Sequence, residues 1–288
     1  MKKRLMAAVL STAMAATMLL TGSISVQAAD AAAANDPAVE LIFTSVSVSG
    51  DSHTEAMYEF ADKVEELSGG SVTCKCYDNG SLFSSENEFD ALLNGDADLA
   101  YISFPTIATQ IPSYSMFASG YLFSSYEHMT SVLNGDIGLN KIRPQIEETL
   151  NIKPLSSFYL GSRVINTREK EINSYDDMNG LLLRMPNSEA WLFLGEALGA
   201  NPTPLSFSEL YTALQTGAVD AQDNPLPSIE SAKFYEVTKY IAITNHVVDS
   251  IMPCINGDTW NSMTEAQQEA VTEAMEYARD VNDTARLD

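Results

Sequence analysis

Six arginines stand beyond residue 28, and three of them, Arg163, Arg168 and Arg184, fall within 22 residues. Arg184 follows Leu181-Leu182-Leu183 and precedes Met185-Pro186, and the three leucines call for burial. A guanidinium cannot shed its proton to enter a core, so it must find an anion there. Its planar fork matches a carboxylate through two parallel hydrogen bonds. Two kinds of partner fit: an internal acid such as Asp176 or Asp220, or the carboxylate of a ligand reached from a cleft at the strand's end. Asn187 and Ser188 come next, where a helix starts; they either cap it or offer donors to an anion.

Other residues have a bland use and a functional one. Ser206 stands three before Glu209, a capping-box spacing. Phe207, at the start of the same helix, is either a hydrophobic staple or a wall of the cleft. Asn224 precedes Pro225 and is pushed toward an extended backbone, where its amide either starts a turn or faces a ligand. Cys74 and Cys76 alternate with Lys75 on a strand-like stretch, so they share a face; with Cys254 they read as small buried hydrophobes. His53, His128 and His246 are too scattered for a metal site. The chain has no G-x-S-x-G, Walker, H-E-x-x-H or G-x-G-x-x-G motif, so the expectation is a non-enzyme with no catalytic residue, metal or cofactor.

Charge narrows the partners. Lys and Arg total 16 against 39 Asp and Glu, a formal net charge of −23. Such a chain repels nucleic acid and anionic lipid. An anionic ligand is costly for it unless a site concentrates its few cations.

The elements that must position these residues alternate. A strand over 39–48, a helix from Asp51 or Ser52 through 67, a strand over 71–77, a helix near 85–94 and a strand near 97–104 indicate α/β architecture with largely parallel strands. A short helical turn and a buried strand are expected across 172–186, then helices near 188–198 and 206–216. The segments 88–100 and 209–221 share the frame Ala-Leu-x-x-Gly-x-x-Asp, about 122 residues apart. Each reads as a helix, a left-handed glycine cap and a strand, which suggests two lobes built alike. Sites in parallel α/β sheets lie at the C-terminal ends of strands, so two such lobes would share a cleft. At the start, Met1-Lys2-Lys3-Arg4, an apolar run over 5–20 and Val26-Gln27-Ala28 read as a cleaved export signal over 1–28. Ser23 stands where a lipidated Cys would be, so no lipid anchor is expected. Residues 29–37 read as a flexible leader.

Between GSRVINTREK at 161–170 and DNPL at 223–226, and again over KFYEVTKYIAITNHVV at 233–248, the chain resembles the DctP-type solute-binding proteins of TRAP (tripartite ATP-independent periplasmic) transporters. The likeness extends less closely over the helix at 53–67, the YDNGSL turn and LLNGDADLAY. It implies an α/β bilobed periplasmic-binding-protein fold with a hinge: lobe 1 over 38–160 plus about 250–288, and lobe 2 over 161–249. It implies a monomeric, periplasmic or otherwise extracytoplasmic protein that captures an organic acid and docks on small and large membrane subunits. By that resemblance Arg184 forms the bidentate carboxylate contact, Arg163 assists, and Asn187, Phe207 and Asn224 line the pocket. In the sialic-acid-binding branch, first-lobe acidic contacts stand where this chain has Ser84 or Ser85 and Ser103, and Val46 stands near an expected asparagine. The ligand class therefore stays open among uronates, dicarboxylates and 2-oxo acids. Members of the family usually continue beyond the helix at about 264–282, so an element completing lobe 2 is expected to be missing here.

Overall fold

The computed structural model describes residues 36–287. The export signal read over 1–28 and most of the leader over 29–37 lie outside the described residues. Lobe 1 begins with β1 (Val39–Thr44), α1 (Ser52–Leu67), β2 (Val72–Tyr77), α2 (Glu88–Asn94) and β3 (Leu99–Ile102). Short helices α3 (Phe104–Ile107), α4 (Tyr126–Leu133) and α5 (Arg143–Leu150) lead to β4 (Ile152–Pro154) and the crossing strand β5 (Phe158–Thr167). Lobe 2 holds β6 (Leu182–Met185), α6 (Glu189–Ala197), β7 (Asn201–Pro204), α7 (Phe207–Thr216), β8 (Ala221–Pro225) and α8 (Leu226–Ser231). The 17-residue β9 (Tyr240–Asn256) returns to lobe 1, where α9 (Gly257–Ser262) and α10 (Glu265–Leu287) follow.

Local chemistry explains the helix ends. Asp51 caps α1 by accepting the His53 N–H, and Ala56, Phe60 and Val64 bury one face at helical spacing. Gly95 and Gly217 end α2 and α7 in the left-handed region, at φ 78° and 82°. Strands in turn feed two faces. In β3, Leu99 and Tyr101 pack with Leu41, Phe43, Phe60 and Met275, while Ala100 and Ile102 pack with Leu92, Ile107 and Met129. Lobe 2 repeats the sandwich: Leu183, Met185 and Trp191 on one side, Val164, Leu210, Leu214 and Phe234 on the other. Each fully buried side chain of this size contributes ~1.5–3 kcal/mol.

The sheet order is β2-β1-β3-β9-β5-β8-β6-β7, with β4 also pairing β9. Within each lobe β1 and β6 pair in parallel with both neighbours. The long strands β5 and β9 run antiparallel to each other and join the lobes. The sheet is therefore mixed, not largely parallel. The expected strand over 39–48 ends at Thr44, and the helix expected near 85 starts at Glu88. Of the three leucines, Leu181 and Leu183 are buried but Leu182, at the start of its strand, is 38% exposed.

The helix α10 packs along α1 and onto β5. Its Asn282 donates to the Tyr159 carbonyl at 2.9 Å and its Asp283 accepts from the Tyr159 N–H at 2.8 Å. The first-lobe helix is thus pinned to the strand that leaves for lobe 2. Gly161 in β5 has no room for a side chain, because a Cβ would stand 2.5 Å from Pro225 Cβ. That close approach fixes β5 against β8 two residues before Arg163.

Candidate functional site

The C-terminal ends of the parallel strands in both lobes open on one cavity of about 280 Å³. Val46 and Ser47 reach it from the loop after β1, Ser103 from the end of β3, Pro186 and Asn187 from the end of β6, Phe207 from the first turn of α7, and Asn224 from β8. Arg163 and Arg184 line it too, so all six residues singled out in the sequence, Arg184, Arg163, Asn224, Asn187, Phe207 and Ser103, are brought to one wall system. The volume suits a compact small molecule.

The two cleft arginines have opposite surroundings. Arg163 Nε donates to Asp249 Oδ2 at 2.7 Å, and one terminal nitrogen donates to the Asp223 carbonyl at 2.8 Å and to Asp223 Oδ1 at 3.3 Å. Its guanidinium lies 4.3 Å from the centre of the Trp191 ring. Although burial works against its charge, Asp223 and Asp249 hold the group above its ordinary pKa. On the other side of Asp223, which is fully buried, His246 Nε2 lies 3.2 Å from Oδ2. Arg163 is therefore a neutralised member of a closed network.

Arg184 is 3% exposed. Its Nε donates to the Leu205 carbonyl at 2.8 Å, and the Phe207 ring centre lies 5.9 Å from the guanidinium. Among the described residues no carboxylate pairs with it; Arg163 is the arginine that the cleft carboxylates engage. Asp220, one of the two internal partners weighed from sequence, instead accepts the Leu182 N–H at 3.0 Å. Burial lowers the Arg184 guanidinium to about 10, Arg163 adds to the drop, and Asp223 and Glu86 oppose it. It stays a cation at neutral pH, held in a cleft wall without its counterion.

The remaining predicted residues take definite places. Ser103 caps α3, with its hydroxyl 2.9 Å from Thr106 Oγ1. Asn187 is exposed at the cleft, and Ser188 caps α6 by accepting the Trp191 N–H at 3.3 Å. Asn224 is buried with its amide turned inward: its nitrogen donates to Gln222 Oε1 at 2.6 Å and its oxygen accepts from Arg163 at 3.4 Å. Phe207 is both wall and packing residue, edge-on to Phe234 with ring centres 5.7 Å apart. The expected capping box at Ser206 forms differently, since its hydroxyl donates to Glu209 at 2.7 Å and makes no bond to the helix backbone. Arg168 packs against the Gly217 turn and does not line the cleft.

Several lining residues escaped sequence reasoning. Asp249 and Ile251 come from β9, Trp191 from α6, and Glu86, Glu88 and Asp90 from in and before α2. Asp249 had a signal: it is a lone acid in the apolar run Val247–Cys254. The α2 acids had none, because acids are abundant throughout the chain.

Comparison with known proteins places this geometry among relatives. Residues 43–286 match the profile of the bacterial extracellular solute-binding proteins, family 7. The chain is 33% identical to the sialic acid-binding periplasmic protein of Vibrio cholerae over 222 residues, covering 77% of this chain and 68% of that one. It superposes on a TRAP periplasmic solute-binding protein from Roseobacter denitrificans solved with bound 3-deoxy-D-manno-oct-2-ulosonic acid, at TM-score 0.82 and 38% identity, covering 87% and 82% of the two chains. It also superposes on the sugar acid binding protein of Advenella mimigardefordensis solved with galactonate, at TM-score 0.84 and 28% identity, covering 88% and 81%.

Proposed function

The chain belongs to family 7 of the bacterial extracellular solute-binding proteins, and from that premise we propose that Arg184 is the ligand-carboxylate receptor of a TRAP solute-binding subunit. One observation carries the reading: a buried guanidinium in the wall of a two-lobed cleft, with no carboxylate partner among the described residues. A desolvated cation of this kind is expensive until an anion arrives. A ligand carboxylate supplies the missing charge and two charge-assisted hydrogen bonds. Phe207 shields the pair from water on one side. Arg163, already neutralised, orients Asn224 and holds Trp191 in the wall instead of taking the ligand's charge.

In this reading the lobes are 38–160 with about 250–288, and 161–249, joined through β5 and β9. A ligand bridging Arg184 and the first-lobe lining favours the closed arrangement by its differential affinity for it. The protein is exported by its first 28 residues and hands the acid to the small and large membrane subunits without chemical change. The family gives solute binding as its activity, and the described cleft residues act as receptors, with no reaction assigned to them. The relatives solved with sugar acids make acids of that size the first compounds to try.

Titration calorimetry on the purified exported protein tests the reading. At least one small organic acid should bind, be recovered unaltered by mass spectrometry, and lose about a hundredfold in affinity in Arg184→Ala, roughly 3 kcal/mol. Affinity unchanged in that variant would remove Arg184 from its role.

A further inference from the structure

The two walls of the cleft are unequal in charge. On the second-lobe side Arg184 is the guanidinium without a carboxylate, since Arg163 is matched by Asp223 and Asp249. Arg168, which could have met a second anionic group, packs outside the lining. On the first-lobe side the lining contains Asp51, Glu86, Glu88 and Asp90, and no Lys or Arg. Asp51 is matched by Arg286 at 2.5 Å. Among the described residues, Glu86 accepts from the Ser84 and Ser85 hydroxyls, at 2.7 and 3.1 Å. No cation pairs with Glu86 or Asp90 among the described residues. Among the described residues, the cleft therefore offers one free positive charge and faces it with acids.

Glu88 differs from its two exposed neighbours. It is 5% exposed, and its Oε1 is buried without a hydrogen-bond partner. The Thr44 hydroxyl, at the end of β1, is also buried and without a partner. Unsatisfied buried polar atoms of this kind are rare in folded proteins and call for an explanation. The serine and threonine hydroxyls of Ser47, Ser85, Ser103 and Thr106 surround the same side of the cleft.

We propose that this site selects hydroxylated monocarboxylates against dicarboxylates, with Glu88 as the residue that reads the hydroxyl-bearing end. The inference rests on the reading of Arg184 given above. One ligand carboxylate satisfies Arg184. A second would stand against Glu86 and Asp90 with no cation to offset them, and like charges placed together across an interface weaken binding strongly. A hydroxyl meets no such penalty. Burial pushes the Glu88 carboxyl well above the usual carboxylate range; the neighbouring Thr44 hydroxyl opposes the shift without meeting hydrogen-bond geometry. The neutral acid so favoured both donates and accepts, which matches a hydroxyl and not an ammonium, whose recognition needs an ionised partner.

Calorimetry on the full exported chain separates the outcomes. Galactonate and glucuronate represent the hydroxylated monocarboxylates, succinate the dicarboxylates, and a zwitterionic amino acid the ammonium class. A hydroxylated monocarboxylate should bind about a hundredfold or more tighter than succinate. Glu86→Gln combined with Asp90→Asn, both exposed, should tighten succinate by about tenfold. Glu88→Met should weaken a hydroxylated acid about tenfold and leave its deoxy counterpart unaffected. Succinate or the amino acid binding tighter than every hydroxylated monocarboxylate in the unaltered protein would overturn the proposal. So would equal losses for hydroxylated and deoxy acids in Glu88→Met. Binding of no acid at all, or indifference to Arg184→Ala, would instead defeat the reading beneath it.

Discussion

The two lobes are the same design used twice, and they differ where the cleft is. β1-α1-β2-α2-β3 and β6-α6-β7-α7-β8 follow one path, with strand orders β2-β1-β3 and β7-β6-β8. In each, the Asp that ends the shared frame accepts a backbone N–H from the central strand: Asp98 from Ile42 at 2.8 Å, and Asp220 from Leu182 at 3.0 Å. Each also donates its own N–H to the same residue's carbonyl, at 3.0 and 2.8 Å. The registers then align Phe43 opposite Leu99 with Leu183 opposite Ala221, so Thr44 occupies the place that Arg184 has in lobe 2. The scaffold is repeated and the chemistry is not. Lobe 2 holds a buried charge and lobe 1 a hydroxyl and an acid; on the reading proposed above, the first gives affinity for any carboxylate and the second distinguishes what the carboxylate is attached to.

The largest test of that division contrasts the two cleft arginines. Arg163→Met leaves Asp223 and Asp249 buried without their cation, and breaking a buried pair from one side costs about 3–5 kcal/mol. Denaturant unfolding should show that loss. Arg184→Met removes a buried charge that has no partner, so the ligand-free protein should be no less stable while binding falls about a hundredfold. A loss of more than about 1 kcal/mol of unligated stability in Arg184→Met would mean that Arg184 has a structural partner after all.

A pH test sharpens the contrast at the lobe junction. Ser231 of α8 donates to Asp51 at 2.9 Å and Arg286 of α10 donates to Ser228 at 3.1 Å, so a first-lobe cap is tied to lobe 2 around His53. His53 is 1% exposed; burial, with the Arg286 charge adding to it, lowers the imidazole from 6.5 to about 4 against the pull of Asp51. Between those values the unfolded chain takes up a proton that the folded one refuses. His53 should therefore withdraw roughly 3 kcal/mol of stability as pH drops from about 6.5 to about 4, while Glu88, whose raised carboxyl takes up a proton on folding, acts in the opposite sense over part of that window. Denaturant unfolding at stepped pH measures it, and His53→Asn should flatten the slope. A pH profile in His53→Asn parallel to that of the unaltered protein would show that the junction holds no neutral histidine.

Much of this was legible in the sequence, for physical reasons that differ by residue. The α/β alternation follows from apolar spacing, and the repeated frame announced the two lobes because only a glycine ends a helix so readily in the left-handed region. Arg184 announced itself because a guanidinium beside three leucines has few homes. What escaped depends on contacts distant in sequence. That Arg163 is neutralised requires Asp249, 86 residues away, and Asp223, 60 away. That Glu88 is buried while Asp90 is exposed depends on how α2 sits on β3 and β9, which composition does not reveal in a chain with 39 acids.

The smallest expected effects test the repeated scaffold itself. Asp220→Ala frees one exposed N–H, that of Leu182, and water can replace the lost acceptor, so the cost should be about 0.5–1 kcal/mol. Asp98→Ala frees the part-buried Ile42 N–H and also the Thr259 hydroxyl, which donates to it at 2.6 Å. Its cost should reach about 1–2 kcal/mol. Because Asp220 aligns the strand that carries Arg184 while Asp98 aligns the one that ends in Thr44, their binding effects should diverge in the other direction. Asp220→Ala should weaken every carboxylate ligand alike, and Asp98→Ala should change the ranking among them. Thermal melts paired with calorimetry on the two variants separate these outcomes. If both variants lost affinity for all acids in the same proportion, affinity and discrimination would not be divided between the lobes.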